Sequence, residues 1–141
     1  MIRKLKAEET NDVLDIWVKA SIEAHSFVSR EFWKSRMDVM RDTYIPASDT
    51  YVFEENGIIK GFFSLHNDTL AAMFVSPESQ GRGIGRRLMD KAKSLRNSLE
   101  LTVYKENPKS VDFYKKCGFN IIKEQIDEHT GHIEILMKYG V

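Results

Sequence analysis

Cysteine is nearly absent from the chain: there is one, Cys117, so no internal disulfide is available, and no Cys/His cluster has zinc-site spacing. A reducing compartment, the cytoplasm, is expected. Nor is there an excess of charge, with 21 basic against 21 acidic side chains. That argues against a nucleic-acid or anionic-membrane partner, since either normally leaves a basic surplus. No apolar run approaches the roughly 18 residues of a membrane span, and the N-terminal MIRKLKAEET lacks the apolar centre of a signal peptide. Repeats, low-complexity segments and linkers are missing too. What is left, 42% apolar and 30% charged residues in a chain of 141, is the balance of a soluble globular protein, expected to form one domain over residues 1–141.

The informative stretch runs from Thr69 to Leu95. Leu70 to Val75 is an apolar run of strand length, stopped by Ser76-Pro77. Three alternating glycines follow, Gly81, Gly83 and Gly85, and from Ile84 the apolar residues Ile84, Leu88, Ala92 and Leu95 fall on one helical stripe. The glycines therefore sit where a strand hands over to a helix N-terminus, whose first N–H groups lack partners and carry the positive end of the dipole. A phosphate or pyrophosphate suits such a turn, and Arg82, Arg86 and Arg87 add positive charge around it. A dinucleotide fingerprint counted from Gly81 needs a third glycine at the position of Arg86, and no Walker A run occurs, so both are excluded.

Along the chain, Ile2 to Leu5 reads as a short first strand. Val13, Ile16, Trp17 and Ala20 mark a helix starting near Glu8 to Thr10. A second helix, with Ser29 as candidate cap, presents Trp33, Met37 and Met40 on one face, either as core or as one wall of a cleft. Asn56-Gly57 between Tyr51–Glu55 and Ile58–His66 predicts a hairpin with a type I′ turn. After the helix of Ile84 to Leu95, the alternation of Leu99, Leu101 and Val103 gives a strand parallel to Leu70–Val75 through a crossover. Pro108 opens another helix, ended by Gly118. Phe119–Ile126 and Ile133–Lys138 close the chain as a strand pair around Asp127–His132.

Gln80-Gly81-Arg82-Gly83-Ile84-Gly85 resembles the Q/R-x-x-G-x-G/A signature of the GNAT superfamily of acyl-CoA-dependent N-acyltransferases. A second segment, Asn107 to Phe119, resembles that family's N-x-x-A-x-x-F-Y-x-x-x-G-F pattern, with Ser110 in place of the usual alanine. The order of elements resembles the family over nearly the whole chain. The resemblance implies an α/β (α+β) GNAT fold: a mixed, mostly antiparallel sheet of about six to seven strands, two splayed central parallel strands, and about four helices. It implies acetyl-CoA as co-substrate, no metal, and an amine acceptor that is a small molecule or a protein. By the same resemblance, Gln80, Gly81, Arg82, Gly83, Ile84, Gly85 and Arg86 hold the pyrophosphate, main-chain groups near Phe74 and Val75 pair with the pantetheine arm, and Asn107 hydrogen-bonds it.

The resemblance also implies that Tyr114 points its hydroxyl at the thioester sulfur, which makes it the expected catalytic residue: a phenol of pKa about 10 can protonate a departing thiolate of pKa about 8.5. The glutamate that many members carry on the strand before the loop has no counterpart in Leu70-Ala71-Ala72-Met73, leaving Asp68, His25, Glu100 and His66 as candidate bases. In the family the acceptor site is built from the first two helices and the last hairpin, which here contain His25 and Phe27 and the acids of DEHTGH. The alternative is a non-catalytic acyl-CoA sensor or interaction module. Monomer and homodimer both stay open.

Overall fold

The computed structural model describes residues 1–140; Val141, the end of the expected domain, lies outside the described residues. Strand β1 (Ile2–Lys4) leads through a short 3-10 turn into helix α1 (Thr10–Ala24), then α2 (Arg30–Ser35) and a single turn α3 (Met37–Val39) that widens into a π-helical turn at Met40–Tyr44. Next come β2 (Asp49–Glu55), β3 (Ile58–His66), β4 (Thr69–Val75), α4 (Ile84–Leu95), β5 (Ser98–Tyr104), α5 (Pro108–Lys116), β6 (Asn120–Ile126) and β7 (Ile133–Gly140). The seven strands form one sheet in the order β1-β2-β3-β4-β5-β7-β6. Every pairing is antiparallel except β4 with β5. The mixed sheet expected from the sequence is therefore present, at the upper end of its strand count.

Local chemistry explains most element ends. Asn56 and Gly57 take positive φ values of 54° and 76°, as a type I′ turn requires. Ser29 accepts from Phe32 N–H at 3.2 Å and caps α2. The single second helix expected through Met40 does not form. The Ser35 hydroxyl turns back onto the Phe32 carbonyl at 2.7 Å, and the chain leaves regular α-helix at Arg36 before resuming as α3.

Alternation along the central strands sends side chains to two cores. Phe53, Phe63, Leu99 and Leu101 pack with Leu88 and Met89 of α4 and Val111 of α5 on one face. Val52 and Phe62 pack with Val13, Leu14, Trp17 and Trp33 of α1 and α2 on the other. Leu88 is fully buried, so Leu88→Ala is expected to cost about 3 kcal/mol, within the usual range for a leucine deleted from a core. Urea titration should show a lower midpoint with an unchanged slope.

Candidate active site

The loop between β4 and α4 leaves its main-chain donors open, in a curl that could cradle an anion. Gly81 and Gly83 have φ of +80° and +83°, and a β-carbon at either would meet nothing within 4 Å, so the requirement is conformational rather than one of space. Gln80 pins the loop to the strand by donating from Nε2 to the Val75 carbonyl at 3.1 Å. No acid occupies the first turn of α4 and no side chain caps it. Among the described residues, the N–H groups of Gly81 to Arg86 have no acceptor. A pyrophosphate fits such a row of unpartnered donors.

The cradle opens into a split in the sheet. Strands β4 and β5 are paired at Thr69↔Glu100 alone, with the Glu100 N–H also donating to the Asp68 carbonyl at 2.9 Å. Beyond that point they diverge, and a cleft of about 760 Å³ occupies the gap. The Ser76 N–H donates to Lys60 O at 2.8 Å, so the pair 60/76 is hydrogen-bonded; the antiparallel alternation then turns the main-chain groups of Met73 and Val75 away from β3 and toward the gap. Phe74, expected to offer its backbone, faces β3 with its amide and contributes its side chain to the cleft wall.

On the far side of the gap stands α5. Asn107 caps it, accepting from Ser110 N–H at 3.4 Å, while Nδ2 donates to Ser110 Oγ at 2.9 Å and approaches His25 Nε2 at 3.4 Å. Tyr114 lines the same cleft, between the rings of Phe113 and Phe119. Its hydroxyl has no hydrogen-bond partner among the described residues, and burial, reinforced by the nearby Cys117, pushes its pKa up to about 12.

The opposite end lies on the α1–α2 face. His25, at the C-cap of α1, packs against Phe27, Trp33 and Tyr104 at ring distances of 5.7, 5.3 and 5.0 Å. Burial pushes its pKa down to about 4, offset only in part by the Ser21 carbonyl, which lies near the ring without forming a hydrogen bond to Nδ1. The Tyr104 hydroxyl donates to Asp127 in the β6–β7 hairpin, and burial together with that carboxylate moves its pKa upward. Burial opposes ionisation of Asp127, but hydrogen bonds from Tyr104, His129 and Thr130 outweigh it and leave the pKa lowered.

The cleft brings together Val75, Gln80, Gly81, Gly83, Ile84, Gly85, Arg86 and Asn107 with Tyr114 and His25. Two expected side chains stay out of its wall. Arg82 turns outward to Glu55 at 3.1 Å, because that carboxylate, shared with Lys60, is its nearest counter-charge. Phe27 is spent on the rings of His25, Tyr104 and His132. Arg87 lies over the Phe53 ring at 4.9 Å, which leaves Arg86 as the one arginine of the three in the cleft. Three candidate bases sit at the pinched end of the strands instead: Glu100 opposite Lys138, His66 opposite Thr69, and Asp68 beside Arg96. A seven-residue strand separates that end from the cradle, about 20 Å. Asp127, the first acid of DEHTGH, lines the cleft, and so do Tyr104 and Glu134, which the sequence did not point to. The available signal for Tyr104 was its place at the carboxyl end of a parallel strand, where open α/β sheets bind their ligands.

A cleft that passes between two strands gives a donor and a nucleophile access to one point from opposite faces of the sheet, which is the arrangement of an acyltransferase. Residues 5–139 match the acetyltransferase (GNAT) domain family, and the chain belongs to that family. It is similar to the peptidyl-lysine N-acetyltransferase YiaC of Escherichia coli, 34% identical over 86% of this chain and 84% of that one. Similarity to the peptidyl-lysine N-acetyltransferase YjaB of Escherichia coli is 30% over 90% and 87%. The solution structure of apo YjaB superimposes with a TM-score of 0.87, at 28% identity over 100% of this chain and 98% of that one. The protein is thus an N-acetyltransferase that moves an acetyl group to an amine, and the non-catalytic alternative gives way. Among the described residues no helix is long and apolar enough to cross a membrane, and no cluster of His, Cys, Asp or Glu is arranged to hold a metal.

Proposed function

We propose that the donor is acetyl-CoA, that the acceptor is the side chain of a peptidyl lysine, and that transfer is by direct attack. The observation that carries the donor is the row of unpartnered N–H groups from Gly81 to Arg86 at the mouth of a split sheet. The acceptor reading draws on the relatives named for peptidyl-lysine acetylation. On this reading the cradle holds the pyrophosphate with Arg86 beside it, and the gap-facing main chain of Met73 and Val75 takes the pantetheine arm as an added strand. Asn107, with its amide already engaged by Ser110 and His25, shapes the turn next to it. Acetyl-CoA supplies a thioester acyl group and a thiolate leaving group.

The chain's own residues then have distinct tasks. An N–H of Met73 or Val75 polarises the thioester carbonyl. Tyr114 gives its proton to the departing sulfur; burial keeps the phenol protonated, and the same dry surroundings raise the thiolate's affinity for that proton. His25 and Asp127, the two groups packed at Tyr104, are weak bases, since His25 is held near 4 and Asp127 is lowered. The amine therefore attacks in its neutral form, gives up its surplus proton to water once bonded to the carbonyl carbon, and water returns a proton to Tyr114.

The test is thiol release from acetyl-CoA with a lysine peptide, followed across pH. Because His25 is already neutral above about pH 5 and Tyr114 stays protonated to about 12, kcat/KM should rise about tenfold per pH unit from 6.5 to 9.5, following the free-amine fraction of a lysine with pKa about 10.4. A plateau above about pH 7 would show that the protein supplies a base of near-neutral pKa.

A further inference from the structure

We infer that the acceptor end of the cleft is a peptide subsite in which the reacting lysine is accompanied by a second basic residue; this rests on the reading of the acceptor as a peptidyl lysine. Two independent observations carry it. Glu23, Asp127 and Glu134 line the cleft, and Glu128 joins Asp127 and Glu134 around an adjoining open hollow of about 380 Å³ on the β6–β7 hairpin. Among the described residues none of these four carboxylates forms an ion pair, whereas Glu9, Glu54, Glu55, Glu106 and Glu124 each hold a basic side chain. Asp127 is held by the hydroxyls of Tyr104 and Thr130 and the main-chain N–H of His129, and Glu134 by the Gln125 amide, all neutral donors that leave the charge uncompensated. Lys109 is at the α5 side of the cleft, and Lys105 is engaged by Glu124.

The second observation lies in the wall of the same cleft. Ser21 Oγ, His25 Nδ1 and Trp33 Nε1 have no hydrogen-bond partner, in residues that are 0%, 8% and 7% exposed. The Asn107 amide facing His25 Nε2 leaves the ring proton on Nδ1, so all three atoms can donate. A polyamine brings cations and few acceptors; a peptide brings carbonyl oxygens as well as basic side chains. The orphaned donors thus select a peptide, and the unpaired acids select a basic neighbour in it. These donors are closed to solvent in the free chain, so a peptide carbonyl reaches them only after side chains of the cleft wall move.

The experiment uses the full chain with acetyl-CoA and four acceptors: a single-lysine peptide flanked by alanine, the same peptide with arginine beside the lysine, the same with glutamate there, and spermidine. The arginine peptide should exceed the alanine peptide about tenfold in kcat/KM, and the glutamate peptide should fall below it by a similar factor. Spermidine should be slower than the arginine peptide. In the double variant Glu128→Gln/Glu134→Gln, with its fold checked by circular dichroism, the arginine advantage should shrink to about twofold or less. Equal rates for the three peptides in the parent overturn the inference and leave the lysine acceptor standing. Faster turnover of spermidine than of every peptide overturns it as well, and no turnover of any peptide overturns both readings.

Discussion

Tyr114→Phe is expected to lower kcat by about 100-fold or more, the contribution usual for a general acid, while the dissociation constant for acetyl-CoA stays within about twofold. The expectation is sharp because the hydroxyl has no structural duty. It makes no hydrogen bond among the described residues, whereas the ring is held by Phe113 at 5.4 Å and Phe119 at 5.8 Å, contacts that phenylalanine keeps. Stability should therefore be nearly unchanged, because the hydroxyl that is removed holds nothing in place and lies at the wall of the cleft. Stopped assays with acetyl-CoA and a lysine peptide, beside thermal melts, separate the two effects. Unaltered turnover in a folded variant would pass the role of acid to water.

Gly83→Glu should have the second large effect, weakening acetyl-CoA binding by at least about 100-fold in a calorimetric titration. The side chain would place a carboxylate among the N–H groups proposed to hold the pyrophosphate, so it would both occupy the cradle and repel its guest. Its backbone penalty is separable. At φ +83° a β-carbon costs about 1–2 kcal/mol, and Gly83→Ala, whose methyl meets nothing within 4 Å, carries that cost without the charge. Loss of binding in the glutamate variant with retention in the alanine variant would locate the pyrophosphate at this loop; equal binding by both would move it elsewhere.

The parts of this site that were readable in the sequence are those set by local geometry. Alternating glycines before an amphipathic stripe, Asn-Gly between two β-rich runs, and Pro108 ahead of Tyr114 each act within a few residues, and the strand–helix–strand crossover fixes the parallel pair. What could not be read depends on contacts between distant segments. Tyr104 meets Asp127 across 23 residues, and Arg82 meets Glu55 across 27, so the pairing that draws one into the acceptor end and the other away from the cradle has no local signature. The orientation of Met73 and Val75 toward the gap follows from the hydrogen-bond phase of β3 and β4, which a run of apolar letters does not encode. His25 was legible as a candidate, but its depressed pKa comes from Trp33, Tyr104 and Phe27 closing around it.

The single residue pair joining β4 to β5 makes the sheet, mechanically, two wings rather than one plate. Helix α4 packs on β3 and β4 and α5 packs on β5, so each wing carries one helix and the aperture between them is not set by a ladder of hydrogen bonds. Phe113 of α5 faces Gly85 of α4 across the two wings, and a methyl added at Gly85 would stand 3.5 Å from its ring, in ordinary van der Waals contact. An alanine at position 85 fits this space, whereas a longer side chain there acts as a wedge between the two helices and widens the bore.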